Sequence, residues 1–272
     1  MPQNILISAE ALFLLLGLAY WIRCLFTSKE TPIWKAQNRL TRWKIPLSDF
    51  FLFLFVLLVF VFVGSQLVIF GLAKWTTEIK GNLLKETVVI GYATHLSCLI
   101  GWFAFSLMKP SIRLTQKISW AAAFKKGLLS LIIVLPPLLI IAATWEFLLK
   151  NFGISTAPQE LIGILRSGEN VPYLIAIVFL AVIIAPINEE LLFRGGVFRF
   201  LYQRVPSWAA ILISSSLFAI LHGNWLSFLP LVLLGSLLCL LTQKSGSLKP
   251  AIFLHALFNL HSIIFIFSGI DI

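Results

Sequence analysis

Apolar side chains run in long blocks along this chain, separated by short stretches where lysine, arginine, glycine and proline collect. At about 20 apolar residues per bilayer crossing, the blocks divide into eight segments, at roughly 5–26, 48–72, 87–108, 127–149, 172–194, 208–222, 225–242 and 251–268. The fold class this predicts is all-α, a polytopic transmembrane helix bundle of about eight spans. The first block is too long for the apolar core of a signal peptide and has no small-residue cleavage site, so it is expected to be a retained first span. Pro136 and Pro137 should kink or break the fourth segment. After it, Ser155-Thr156-Ala157-Pro158-Gln159-Glu160 reads as a helix start and Leu161 to Leu165 as its apolar part, a short interfacial helix. No internal repeat, low-complexity tract or long linker divides the chain, and one integrated membrane domain is expected.

Composition and charge sharpen this picture. The 272 residues are 59% hydrophobic and only 12% charged, against about 25% charged in soluble proteins. The formal charge of +10 does not point to nucleic acid, because the basic residues fall mainly in short loops between apolar blocks. Lys29, Lys35, Arg39, Arg42 and Lys44 share one loop, and Lys109, Arg113, Lys117, Lys125 and Lys126 another. Both loops are expected on the cytoplasmic side by the positive-inside pattern. Alternation then puts the loops with Arg199 and Arg204 and with Lys244 and Lys249 inside and both termini outside, with Lys74, Lys80 and Lys85 dissenting in an outer loop. The expected location is the plasma membrane, as a multi-pass protein. Cys24, Cys98 and Cys239 lie in apolar blocks without ligand spacing and read as small buried hydrophobes.

Against that background the run Pro186-Ile187-Asn188-Glu189-Glu190-Leu191-Leu192-Phe193-Arg194 stands out. A carboxylate at mid-depth in lipid costs about 2.5–3.5 kcal/mol on insertion scales, and here two are adjacent. Glu190 and Arg194 share a helix face one turn apart and can cancel each other's charge. Glu189 is turned about 100° away and remains a spare carboxylate. Pro186 removes a backbone hydrogen bond one turn earlier, leaving a carbonyl for water or a neighbour. The bland alternative is a packing ion pair at a kink.

Further polar positions follow. The sixth segment carries Ser214, Ser215 and Ser216, which permit close packing, then Phe218 one turn before His222, where the ring can shield the imidazole. In the eighth, His255 and Asn259 share a face. With a turn near 204–207, Glu189 and His222 each lie about 14 residues, or about 21 Å, from it and are level. His255 fits less well, being about one turn into its helix. Either the loop Lys244 to Pro250 dips into the bilayer or the segment 195–203 lies along the cytoplasmic interface, nearer which Glu189 would then stand. Glu10 and His95 sit in spans without evident partners, and such a histidine is more often hydrogen-bonded structure than ligand.

A carboxylate able to take a proton from water, two imidazoles and an amide meet a hydrolase's needs. No GxSxG elbow supports a serine nucleophile. Zinc held by Glu189, His222 and His255 is the competing site, although HExxH is absent. A transporter would be expected to carry inverted repeats, and none is evident.

Glu189-Glu190-x-x-x-Arg194, Phe218-x-x-x-His222 and His255-x-x-x-Asn259, with Ser245-Gly246-Ser247-Leu248 before the last, resemble the three motifs of the CAAX prenyl endopeptidase and bacteriocin-processing (CPBP, or Abi) family of intramembrane proteases. The resemblance covers roughly 125–268. It makes 125–272 the catalytic membrane core and leaves the transmembrane helices of 1–124 unspecified. It implies a glutamate endopeptidase without cofactor. Glu189 and His222 would activate water, His255 and Asn259 would hold the oxyanion, and Glu190, Arg194 and Phe218 would support them. The implied partners are a peptide or membrane-protein substrate, with or without a lipid anchor, and the bilayer. The site would lie nearer the cytoplasmic side. Relatives acting as scaffolds or in bacteriocin immunity make a non-catalytic role the alternative.

Overall fold

The computed structural model describes residues 3–27, 38–41, 43–72, 79, 82–112, 117–156, 160–167 and 170–269. They form α1 (Gln3–Thr27), α2 (Leu47–Leu72), α3 (Leu83–Met108), α4 (Trp120–Asn151), α5 (Glu160–Ser167), α6 (Val171–Tyr202), α7 (Ser207–Ile220), α8 (Trp225–Ser245) and α9 (Lys249–Ser268), with no strand among the described residues. Of these α1, α2, α3, α4, α6, α8 and α9 are long and apolar enough to cross a membrane. The eighth expected segment is α7, whose 14 residues reach only about 21 Å. His222, just past its end, therefore stands less than a full hydrocarbon thickness from the turn at Ser207, since that core is about 30 Å thick.

The expected boundaries hold to within a few residues except at two helices. α4 starts at Trp120 because Ser119 caps it, accepting from the Ala122 N–H at 3.2 Å. It then runs unbroken through Pro136 and Pro137 to Asn151, so the expected break does not occur. Pro137 leaves the Ile133 carbonyl without its helical donor, and the Trp21 indole on α1 donates to that oxygen at 2.9 Å. Gly17 allows the approach, since a Cβ there would stand 2.7 Å from Cγ of Pro136. The other exception is α6, which continues past Arg194 to Tyr202. The short helix expected after α4 is α5; residues 157–159 of its predicted start lie outside the described residues.

Two of the four apolar cores among the described residues bear on the helices that carry the polar positions. Leu131, Val134, Leu135 and Leu138 of α4 pack on Leu234, Leu237, Leu238 and Leu241 of α8 and on Ala251 and Leu254 of α9. On the other side Phe53 of α2, Phe105 of α3 and Trp43 meet Val197 and Phe200 of α6. The small residues of α7 bring it close to α8: Ser214 and Ser215 are buried, and the Ser236 hydroxyl donates to that of Ser215 at 3.3 Å.

At one end, the α8–α9 turn is buried in protein. Gly246 closes α8 with φ of 67°, and Ser245 and Ser247 are buried. The Gln243 carbonyl accepts from the N–H groups of Arg39 and Leu40, while its side chain donates to Ser207 at 2.9 Å. Within the protein the buried turn helps bring His255 beside Glu189. A π-helical stretch over Leu191–Phe198 contributes too, because i→i+5 bonding packs more residues into each turn and draws Glu189 toward the same end.

Candidate active site

The site is built on α6, whose helical register changes twice. Leu180–Ile184 and Leu191–Phe198 are π-helical, and the α-helical piece Ala185–Glu190 lies between them. π-Bulges concentrate at functional positions. Here Pro186 accounts for part of the first one. The Ala185 N–H donates to the Leu180 carbonyl five residues back. In that register the Ala181 carbonyl is due a bond from residue 186, which as proline has none to give. Asn259 on α9 supplies it, Nδ2 donating to the Ala181 oxygen at 2.8 Å. The carbonyl expected from sequence to need a partner has found one in a candidate site residue. One amide N–H of Asn259 is thereby used, and its second remains.

Glu190 and Arg194 are both fully buried, with Nη1 donating to Oε1 at 2.9 Å. Nη2 donates to the Gly235 carbonyl at 3.1 Å, and the guanidinium lies 4.6 Å from the ring centroid of Phe218. Gly235 has to be glycine, because a Cβ would stand 3.0 Å from Cβ of Ser215 and 3.2 Å from Nη2 of Arg194. His255 joins through Nδ1, 3.0 Å from the same Glu190 oxygen. A carboxylate oxygen accepts, so Nδ1 carries the proton in this contact.

The other nitrogen of His255, Nε2, faces Oε2 of Glu189 at 3.7 Å, beyond ordinary hydrogen-bond length. Glu189 keeps 21% of its side chain exposed, yet Oε2 is buried without a hydrogen-bond partner among the described residues. One guanidinium and one imidazole thus serve two carboxylates. His222 stands in the turn after α7 and its Nδ1 donates to the Phe218 carbonyl at 2.8 Å, which leaves Nε2 as the open nitrogen. The buried Phe218 ring lies between the imidazoles, 4.7 Å from His222 and 5.7 Å from His255. Glu189, Glu190, Arg194, Phe218, His222 and His255 therefore form one contiguous set, joined to Asn259 through the first π-helical stretch. Among the described residues no group of three His, Cys, Asp or Glu side chains is arranged to hold a metal ion.

Two positions gain partners that the sequence did not indicate. His95 on α3 meets Asn188, Nδ1 to Nδ2 at 3.0 Å, next to the paired glutamates. Glu10 on α1 meets His261 on α9 at 2.7 Å. A buried asparagine beside two glutamates was the available signal for the first. For the second only the common rarity of charge in lipid pointed to pairing. Cys98 and Cys239 are buried and Cys24 partly so, all as free thiols.

Comparison with known proteins bears on this arrangement. The chain is 31% identical over 108 residues to "Putative membrane peptidase YdiL" of Bacillus subtilis (strain 168), an overlap of 40% of this chain and 43% of that protein. The chain thus spans less than half the length of that relative. No solved structure matches it. Residues 171–261 match the family model described as Type II CAAX prenyl endopeptidase Rce1-like. The stretch from α6 into α9, which supplies Glu189, Glu190, Arg194, His222, His255 and Asn259, is thus the part of the chain that carries the likeness to the Rce1-like type II CAAX prenyl endopeptidases.

Proposed function

We propose that this protein is an integral membrane endopeptidase that hydrolyses a peptide bond with water activated by Glu189. The observation that carries the reading is the placement of the His255 ring between two carboxylates, one closed off by Arg194 and the other with an unpartnered oxygen. Water held between Glu189 and Nε2 of His222 gives its proton to the carboxylate, and the resulting hydroxide attacks the substrate carbonyl carbon. The oxyanion accepts from Nε2–H of a doubly protonated His255 and from the second N–H of Asn259. In that state protonated Glu189, ionised Glu190, Arg194, His255 and the oxyanion together sum to zero charge, which suits a site in lipid. Collapse of the tetrahedral intermediate passes the proton from Glu189 to the leaving amine, giving a carboxylic acid and an amine.

The catalytic groups sit nearer the end of the bundle that carries Lys109, Lys117, Lys244 and Lys249, the cytoplasmic end by the positive-inside rule. Both termini then face outward at the plasma membrane. The substrate class that the family match suggests is a peptide ending in a prenylated CAAX sequence. The reaction proceeds without a metal cofactor.

The test uses purified protein in nanodiscs with an internally quenched peptide carrying a farnesylated cysteine and three following residues, beside the same peptide without the lipid. Glu189→Gln is expected to lower kcat by about 10²–10⁴-fold, the range for a lost general base, and chelator to leave the native rate unchanged. Comparing membrane and secreted proteomes of cells carrying either form extends the test to other peptides. Native-like cleavage by Glu189→Gln would overturn the proposal.

A further inference from the structure

The reading above leaves the contact between His95 and Asn188 without a role. His95 lies on α3, outside the stretch 171–261 that matches the family model, and its Nδ1 is 3.0 Å from Nδ2 of Asn188. Asn188 is 6% exposed, and its Oδ1 is buried without a partner among the described residues. A second tie between the same helices, from the Tyr92 hydroxyl to the Ala176 carbonyl at 2.9 Å, comes one turn before His95 on α3.

The local helix geometry gives the contact its meaning. Asn188, Glu189 and Glu190 are consecutive and project about 100° apart around α6. Asn188 is tied to α3, and Glu190 to Arg194 and to α9. Glu189, between them, makes no hydrogen bond through Oε2 among the described residues and approaches His255 at 3.7 Å. The α-helical piece that carries all three residues is six residues long and has a π-helical stretch on each side. The turns on both sides are wider than those of an α-helix. Side-chain bonds of the two flanking residues, to different helices, then decide where Glu189 points. His95 is also close enough to Glu189 for the two to interact electrostatically.

We infer that His95, acting through Asn188, is a positioning residue that sets the direction of Glu189 toward His255, so that α3 takes part in the site. The inference rests on the peptidase reading for its consequence in catalysis. Its geometric content, the Glu189 to His255 approach, is independent of any substrate.

The chain has four histidines, His95, His222, His255 and His261, so protein labelled with ¹⁵N-histidine in nanodiscs gives an imidazole spectrum that single substitutions assign. Asn188→Leu and His95→Phe break the contact from opposite sides, and either suffices. Each is expected to move the His255 imidazole resonances and to leave those of His261 in place. His95→Asn puts an amide where Nδ1 was and is expected to return His255 to its native position. In the cleavage assay the two breaking variants lower kcat by about three- to tenfold, as for one buried hydrogen bond, with KM unchanged. His255 resonances unmoved in both breaking variants would overturn the inference while leaving the peptidase proposal standing. Native-like cleavage by Glu189→Gln would do the reverse.

Discussion

Helix α9 carries two carboxylate–imidazole contacts six residues apart, and they are built differently. His261 meets Glu10 of α1 as a simple pair, each side chain 12% exposed. His255 meets two glutamates, within a cluster closed by Arg194, Phe218 and the Gly235 carbonyl. The pair belongs to the periphery. The apolar window of α1 is only 6% buried, against 39% for those of α4 and α8, and α1 is joined to the bundle by Glu10, by the Trp21 bond to Ile133 and by Gln3 donating to Ser268. In lipid, apolar contact between helices gains little over contact with acyl chains, so hydrogen bonds of this kind hold peripheral helices in place. The central cluster has more polar atoms than such a joint needs. Among the described residues the peripheral pair leaves one buried atom unpartnered, Oε1 of Glu10, and the cluster leaves three, Oε2 of Glu189, Oε2 of Glu190 and Nε of Arg194. Buried polar atoms without partners call for an explanation at both places, and the cluster holds more of them.

That contrast can be broken most severely at Arg194. Arg194→Met leaves Glu190 buried without its cation, and a loss of about 3–5 kcal/mol of stability is expected, read from unfolding in mixed micelles. A loss below that of any peripheral variant would mean that the ion pair is not central. Gly235→Ala should cost about 1–3 kcal/mol by overpacking against Ser215 and the guanidinium, and the same unfolding assay checks it. Glu10→Leu removes the peripheral pair and is expected to cost about 0.6 kcal/mol, the average for a hydrogen bond between membrane helices. A cost equal to that of Arg194→Met would erase the distinction between the two contacts. The smallest effect belongs to Glu189→Gln, within about 0.5 kcal/mol of native stability, despite the loss of cleavage expected of it. A large stability loss in that variant would make Glu189 a structural residue like Glu190.

Much of the architecture was legible in the chain because lipid imposes a length and a composition on each span. Eight apolar blocks became seven long helices and the shorter α7. The pairing of Glu190 with Arg194 was legible for the same kind of reason, since an i,i+4 spacing brings two groups together on one helix whatever surrounds it. Shielding of His222 by Phe218 also follows from one helix turn.

Contacts between helices were not legible, because nothing local to a residue states which neighbour it will face. In the uninterrupted α4 the Ile133 carbonyl freed by Pro137 is met by Trp21, more than a hundred residues away in sequence. The meeting of His255 with Glu189 involves a buried turn and a change of helical register, neither of which leaves a hydrophobic period to read. Spacing put His255 and Asn259 on one face of a helix. Only packing aimed Asn259 at the carbonyl freed by Pro186 and set His255 between two glutamates, and only packing gave His95 and Glu10 their partners. Local geometry is written in spacing; the meeting of distant side chains is settled when the helices dock.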